Sequence, residues 1–247
     1  MVSNEASVYI SDVDSRHFRI RVARALVKPA ALSDVVEYCR SHSVTLLIAR
    51  CLVSDLEVAQ ALEHEGFSLM DTLLYYTANV LENPLPQVNA ALPVRPLRNG
   101  EEEAVREVAR EAFHGYLGHY HADQRLDPVK CDEAYASWVF NCCSSNNFAD
   151  QVLVAEVDHR VAGFCSLRLN GPDEGEGLLF GVSPWARKRT VYRSLLLQAM
   201  RWCFTQGASR MIISTQITNM LVQRMWANAG FHLTTAYYTF HKWFDAP

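Results

Sequence analysis

The chain has 247 residues, 49% hydrophobic and 20% charged, with a formal net charge of -4; this composition fills one large core or two modest ones and excludes a disordered chain. No run of 18 apolar residues occurs, and the opening MVSNEASVYISDVDSR has neither the basic start nor the apolar centre of a secretory signal, so no membrane span is expected and the cytoplasm is the expected location. The seven cysteines are scattered without C-x-x-C spacing, which argues against a disulfide framework and a zinc or other metal site and predicts small buried apolar side chains.

From the N-terminus, RHFRIRVARAL (16–26) and TLLIARCL (45–52) alternate and carry β-branched residues, which predicts two strands. Between them, AALSDVVEYCRSHS places Leu32, Val35, Val36 and Cys39 on one helical face. SDLEVAQALEHEGF (54–67) predicts a second helix with Ser54 as N-cap, Glu57 as its capping-box partner and Gly66 at its C-terminal end. SLMDTLLYYTANV reads as a further strand. Three prolines in NPLPQVNAALP mark a linker over 83–93, dividing the chain into an N-terminal domain, 1–82, and a C-terminal domain, 94–247.

Beyond the linker come the strand VRPL, the helix EEEAVREVAREAF, a loop rich in His and Tyr, and the helix CDEAYASWVFNCC. The strands QVLVAEVD, RVAGFCSLRL and GLLFGV follow, then the helix VYRSLLLQAMRWCFTQG, the strand RMIISTQ, the helix MLVQRMWANAG and the strand AYYTFHKWF. Strands and helices in this order predict a layered α/β fold. A shift of 164 residues aligns 46–71 with 210–235 without a gap, matching Val58 to Val222, Gly66-Phe67 to Gly230-Phe231 and Leu69 to Leu233. The N-terminal domain is therefore read as a partial copy of the C-terminal fold.

Charge is unevenly placed. Gly177 to Phe244 holds eight of the 23 basic residues (Arg187, Lys188, Arg189, Arg193, Arg201, Arg210, Arg224, Lys242) and none of the 27 acidic ones. A cationic lobe on an acidic body points to a polyanionic ligand.

The segments LIARC (47–51), ALEHEGFSLMDTLLYY (61–76), HYHADQRL (119–126), VLVAEVDHRVAGFCSLRL (152–169) and TQITNMLVQRMWANAGF (215–231), in this order of elements, resemble the GNAT (Gcn5-related N-acetyltransferase) superfamily, nearest its TDP-fucosamine acetyltransferase-like branch. The resemblance covers nearly the whole chain. It implies an α/β GNAT fold, a mixed and largely antiparallel twisted sheet flanked by helices, here preceded by a partial GNAT-like domain. It also implies direct attack of a primary amine of a small molecule on an acyl donor. A splayed strand pair, GLLFGV and RMIISTQ, would hold the donor, and the backbone of Phe180, Gly181 and Val182 would stabilise the oxyanion.

Two positions depart from the family. Its pyrophosphate loop reads R/Q-x-x-G-x-G/A, and aligning on Arg187 puts Thr190 and Tyr192 where glycines let backbone approach phosphate. Trp226 stands where the family places a tyrosine that protonates the leaving thiolate, and an indole N–H has no usable acidity. A tolerated variant would still bind acetyl-CoA through Arg187, Arg189, Asn219 and the helix dipole, as a nucleotide-amino-sugar acetyltransferase. The preferred reading replaces acetyl-CoA with an aminoacyl-tRNA, or a carrier-bound acyl group. Its phosphates would lie along Arg187, Lys188, Arg189 and Arg193, with Trp185 or Tyr192 stacked on the terminal adenine. The similar Fem-type aminoacyltransferases combine doubled folds with tRNA donors. A non-catalytic binding module is the third reading. No tightly bound cofactor is expected, and a homodimer is left open.

On the acceptor side, the resemblance puts His119, Tyr120, His121 and Asp123 in a loop closing over the amine, with His121 or His119 taking the proton and Asp123 orienting it; a merely solvated loop is the alternative. Glu176 opens the central strand, where a carboxylate near the amine could position a relaying water. Asn219 either touches the donor or caps its helix, and Trp226 is either donor tunnel or core. Tyr237 and Tyr238 alternate faces, so one points to the core and the other to the acceptor cleft. Glu156, mid-strand, is expected to be structural.

Overall fold

The structure is a computed structural model describing residues 7–28, 31–81, 92–187 and 190–244. Its first half comprises β1 (Ser7–Ile10), α1 (Asp12–Phe18), β2 (Val22–Leu26), α2 (Leu32–Ser41), β3 (Leu46–Leu52), α3 (Leu56–His64) and β4 (Ser68–Asn79). The rest comprises β5 (Val94–Pro96), α4 (Glu102–Phe113), α5 (His119–Ala122), α6 (Pro128–Ser144), β6 (Gln151–Val157), β7 (Arg160–Gly171), β8 (Glu174–Val182), α7 (Val191–Thr205), β9 (Arg210–Gln216), α8 (Met220–Asn228) and β10 (His232–Trp243). A short 3-10 turn spans Pro184–Ala186 between β8 and α7.

Two local expectations change. Residues 16–18 belong to α1 rather than to a strand, because Ser11 caps that helix: its Oγ accepts from the Asp14 N–H at 3.3 Å and donates to the Asp14 carboxylate at 2.6 Å. The N-cap of α3 is Asp55, not Ser54, and its side chain makes no capping bond. Gly66 does follow that helix with φ +75, the left-handed conformation that glycine adopts freely. Most of the proline-rich linker lies outside the described residues.

Among the described residues the strands form one mixed sheet in the order β1-β2-β3-β10-β4-β9-β8-β7-β6-β5. Only β2·β3 and β8·β9 are parallel. Strand alternation builds a core on each face: on β7, Phe164 packs with Val105, Ala109, Phe113 and Val139 of α4 and α6, while Cys165 packs with Leu195, Ala199 and Cys203 of α7. The buried positions of α4, Val105, Val108, Ala109 and Phe113, fall on one helical stripe. Glu156 is structural, as expected, held by Arg95 at 2.8 Å. All seven cysteines are free thiols, and burial pushes those of Cys39 and Cys51 up to about 11.

The repeat is visible in three dimensions. β3, α3 and β4 begin and end 164 residues before β9, α8 and β10. The registers match too: Leu73 opposes Gln216 as Tyr237 opposes Leu52, and Ser68 opposes His241 as Thr77 opposes His232. A pseudo-two-fold axis therefore passes between Leu73 and Tyr237, which oppose each other. Because β4 inserts between β10 and β9, residues on both sides of the linker share one sheet.

Candidate active site

β8 and β9 pair only from Glu174↔Arg210 to Gly177↔Ile213, then diverge. The divergence starts beside an irregularity: Ser166 faces Leu179 and Leu167 faces Gly177, so Leu178 is an extra residue in β8. Ser183 donates its N–H to Ala162 on β7 at 2.9 Å. By antiparallel alternation the N–H groups of Gly181 and Leu179 also face β7, leaving those of Phe180 and Val182 turned to the gap. Gly177 fits tightly at its base, where a Cβ would lie 2.6 Å from Phe180 and 2.7 Å from Ile213.

A cavity of about 970 Å³ passes through this gap. On one side it is lined by Tyr192 and Trp226, which pack with the core under α7; on the other it is lined by Phe113, Tyr116 and Tyr135 below α4 and α6. Phe180 reaches it, whereas Gly181 and Val182 are buried and do not line it.

The loop leading to α7 keeps the turn that its sequence seemed to abandon. Thr190 caps α7 at φ 60, ψ 6, the left-handed conformation that glycine would occupy without strain. Tyr192 does not fill the phosphate turn but points inward, its hydroxyl accepting the Trp226 indole N–H at 2.9 Å, so it is not available to stack on an adenine. Trp226 is core and cavity wall at once. With that N–H bonded to its oxygen, the Tyr192 hydroxyl has its own proton left to donate; burial raises its pKa. Asn219 precedes α8 without a side-chain capping bond; its amide donates to Thr215 Oγ1 at 3.1 Å, and it lines the cavity. Tyr116 donates to the Gln216 side chain beside it.

Arg187 and Arg193 are exposed and off the cavity, and Lys188 and Arg189 lie outside the described residues. Trp185 is covered by the Arg160 guanidinium, 4.9 Å from its ring. Of the cationic lobe, Arg210 pairs with Glu174 at 2.7 Å and Lys242 donates to the Glu65 carbonyl. These two charges serve the fold.

On the acceptor side, His119 lines the cavity and its Nδ1 lies 3.0 Å from His241 Nε2; His241 Nδ1 lies 2.7 Å from Asp123 Oδ2. A carboxylate only accepts, so His241 donates from Nδ1 and accepts from His119 on Nε2. The Nε2 of His119 is then an unprotonated acceptor with no protein partner among the described residues. Burial, reinforced by His241, Arg24, Arg50 and His121, holds its pKa well below the ordinary imidazole value. Burial alone would raise the Asp123 pKa, but hydrogen bonds from His241, the Arg125 N–H and Trp243 outweigh it and keep the carboxylate ionised.

His121 is not part of this chain. It turns to Asp132 at 2.9 Å, a carboxylate also bonded by His114 and the Gly115 N–H, and it does not line the cavity. Asp123 orients His241, not His121. Glu176 lies within β8 on the cavity wall, and burial pushes its carboxyl up. Tyr120 reaches the cavity but is committed to Asp14 and Arg24, both at 2.7 Å. Tyr237 lines a second, adjoining cavity of about 550 Å³, edge-on to Tyr75. Tyr238 is on the opposite face, packed into the core of the first half, and is not an acceptor residue.

The divergent strands, the glycine-like turn at the head of α7 and the cavity between them agree with a match of residues 105–231, half of the chain, to the acetyltransferase (GNAT) family. The chain belongs to this family. A dTDP-fucosamine acetyltransferase of Escherichia coli O6:H1 is 23% identical over 199 residues, covering 78% of this chain and 80% of that relative. A GCN5-related N-acetyltransferase from Sphaerobacter thermophilus shares the fold at TM-score 0.66 and 16% identity, across 96% of this chain and 76% of that one. A tandem GNAT protein from the clavulanic acid biosynthesis pathway does so at TM-score 0.62 and 14% identity, across 92% and 76%.

Two functional residues carried no motif in the sequence: Arg50, which lines this GNAT cavity, and His241, which is buried behind it and bonds His119. His241 sits in YYTFHKW and Arg50 in LLIARCL, each a polar residue inside an apolar strand. That interruption was the available signal, since a buried strand admits such groups only for a partner or a ligand.

Proposed function

We propose that this chain transfers an acetyl group from acetyl-CoA to the primary amine of a small molecule, a nucleotide-linked amino sugar being the first acceptor to try. The observation that carries the reading is the left-handed Thr190 at the head of α7, beside the open gap between β8 and β9. The lost glycines were one argument for an aminoacyl-tRNA donor, beside the basic lobe and the missing tyrosine, and Thr190 in the glycine-like conformation weakens that argument. The family and the printed name of the fucosamine relative favour the acetyl donor.

In this reading acetyl-CoA supplies a thioester carbonyl whose oxygen the N–H of Phe180, the residue of this stretch that reaches the cavity, receives as charge develops. The acceptor nitrogen attacks, a C–N bond forms and the C–S bond breaks. His119 takes the amine proton on Nε2, directly or through one water, while His241 and Asp123 hold its tautomer and stabilise the imidazolium. Glu176 binds the incoming ammonium. Tyr192 gives the leaving sulfur the hydrogen bond that Trp226 cannot combine with acidity, and Trp226 aims it.

The test is thiol release from acetyl-CoA with a panel of amino sugars, nucleotide-linked amino sugars and diamines. Turnover with at least one amine is expected, with kcat about a hundredfold lower in Tyr192→Phe, the bottom of the range for one proton-transfer group. Thiol release from none of them, alongside consumption of aminoacyl-tRNA, would reverse the choice of donor.

A further inference from the structure

We infer that the acceptor carries an anionic group, phosphate or carboxylate, which Arg50 receives on the wall of the cavity; this rests on the cavity being the acceptor site of an acetyltransferase. Arg50 interrupts β3 between Ala49 and Cys51, both 0% exposed. Among the described residues its one side-chain hydrogen bond runs from Nε to Thr239 Oγ1 at 3.4 Å, and no carboxylate lies within 4 Å of it. A guanidinium stays charged in a protein, so this cation cannot be neutralised by losing a proton.

The contrast with its neighbour is direct. Arg24 on β2 holds both oxygens of Asp14, at 2.6 and 3.1 Å, and the Tyr120 hydroxyl at 2.7 Å. Asp14 is thereby used by Arg24; Asp71 feels the charge of Arg50, but among the described residues no carboxylate is in contact with this second cation. Burial and the adjacent Arg24 both work against the Arg50 charge. Among the described residues the terminal guanidinium nitrogens have no hydrogen-bond partner, and Arg50 lines both cavities together with Tyr9, Arg24 and Tyr75. A half-buried guanidinium among phenols, lining both cavities, is complementary to a bidentate anion.

The placement also sets where that anion sits. β3 is three strands from β9 in the sheet, roughly 14 Å at the usual strand spacing, and the arginine side chain spans part of this. The anion is therefore several bonds from the reacting amine, as in a phosphorylated or nucleotide-linked amino sugar or an ω-amino acid, and unlike an α-amino acid.

The test compares wild type, Arg50→Met and Arg50→Lys in the full chain. Thermal unfolding is recorded alone and with millimolar inorganic pyrophosphate or glutarate, which distinguish phosphate from carboxylate. Without anion, Arg50→Met is expected to match or exceed the wild-type Tm, since among the described residues the charge it removes has no carboxylate in contact. One anion should raise the Tm of wild type and, in part, of Arg50→Lys, and leave Arg50→Met unmoved. A lower Tm for Arg50→Met with no anion-dependent shift in wild type would make Arg50 structural and overturn the inference. Thiol release with glucosamine against glucosamine 6-phosphate, and cadaverine against lysine, separates the two readings. A preference for the charged member of about tenfold or more, the effect of one charge-assisted bond, lost in Arg50→Met, supports both. Equal turnover of neutral and anionic members keeps the acetyltransferase and overturns the anion site. An anion-dependent shift without thiol release keeps the anion site and overturns the acetyltransferase.

Discussion

The chemistry assigned to His119 depends on which of its nitrogens is bare, and that is fixed by a carboxylate two bonds away. Replacing it with Asn keeps a donor toward His241 but removes the basic nitrogen. His119→Asn should lower kcat by about 10²- to 10³-fold with KM little changed, within the range of a general base, measured by thiol release. Its depressed pKa also couples to stability. Between that value and about 6.5, the ordinary imidazole pKa, the unfolded chain binds more protons than the folded one, so stability rises with pH and is complete above the window. The wild-type Tm should therefore fall as pH drops below about 6.5, and that of His119→Asn should fall less. Parallel curves would show that the buried imidazole does not titrate as described. The segment HYHADQRL pointed to His119 and Asp123, but their link, His241, is 118 residues from Asp123 and was not legible from local spacing. The same holds for Tyr192 and Trp226, whose hydrogen bond makes one unit of what read as two separate departures.

The turn into α7 shows where reading residue types misled. The missing glycines were plain in VSPWARKRTVYRS, and they suggested that the backbone no longer approached a phosphate. Thr190 instead holds the glycine conformation. A β-branched residue in the left-handed region is strained by roughly 1–2 kcal/mol, part of which glycine would return through its freer unfolded chain. Thr190→Gly should thus gain about 1 kcal/mol or less, a Tm rise of up to about 2–4 °C, and lower the KM for acetyl-CoA. A lower Tm would mean that the threonine side chain contributes more than its backbone costs. The divergence of β8 and β9 was anticipated from the family resemblance and is present from Gly177 onward. What accompanies it, the close approach that Gly177 permits at Ile213 and the extra Leu178 opposite β7, involves cross-strand contacts that a single strand does not reveal.

The repeat, by contrast, was legible because it needs only phase: a shift of 164 residues recovers the bounds of two strands and a helix. What phase cannot give is the exchange that follows, in which β4 lies between β10 and β9 and the two halves complete one sheet. The boundary drawn at the prolines should then not separate independently folding units. Urea unfolding followed by tryptophan fluorescence and by far-ultraviolet circular dichroism should give coincident single transitions; two resolved transitions would mean that 1–82 and 94–247 unfold separately. The same sheet supplies the gap between β8 and β9, His241 on β10, which bonds His119 of α5, and Arg50 on β3, so the proposed donor and acceptor sides draw on both halves of the chain. The most direct measurement is a calorimetric titration of the whole protein with acetyl-CoA at low and high salt, with wild type and Gly177→Val. Saturable one-to-one binding that persists in salt and is lost when the valine fills the base of the gap is the predicted result. No acetyl-CoA binding by wild type, with salt-sensitive binding of aminoacyl-tRNA in its place, would contradict the account.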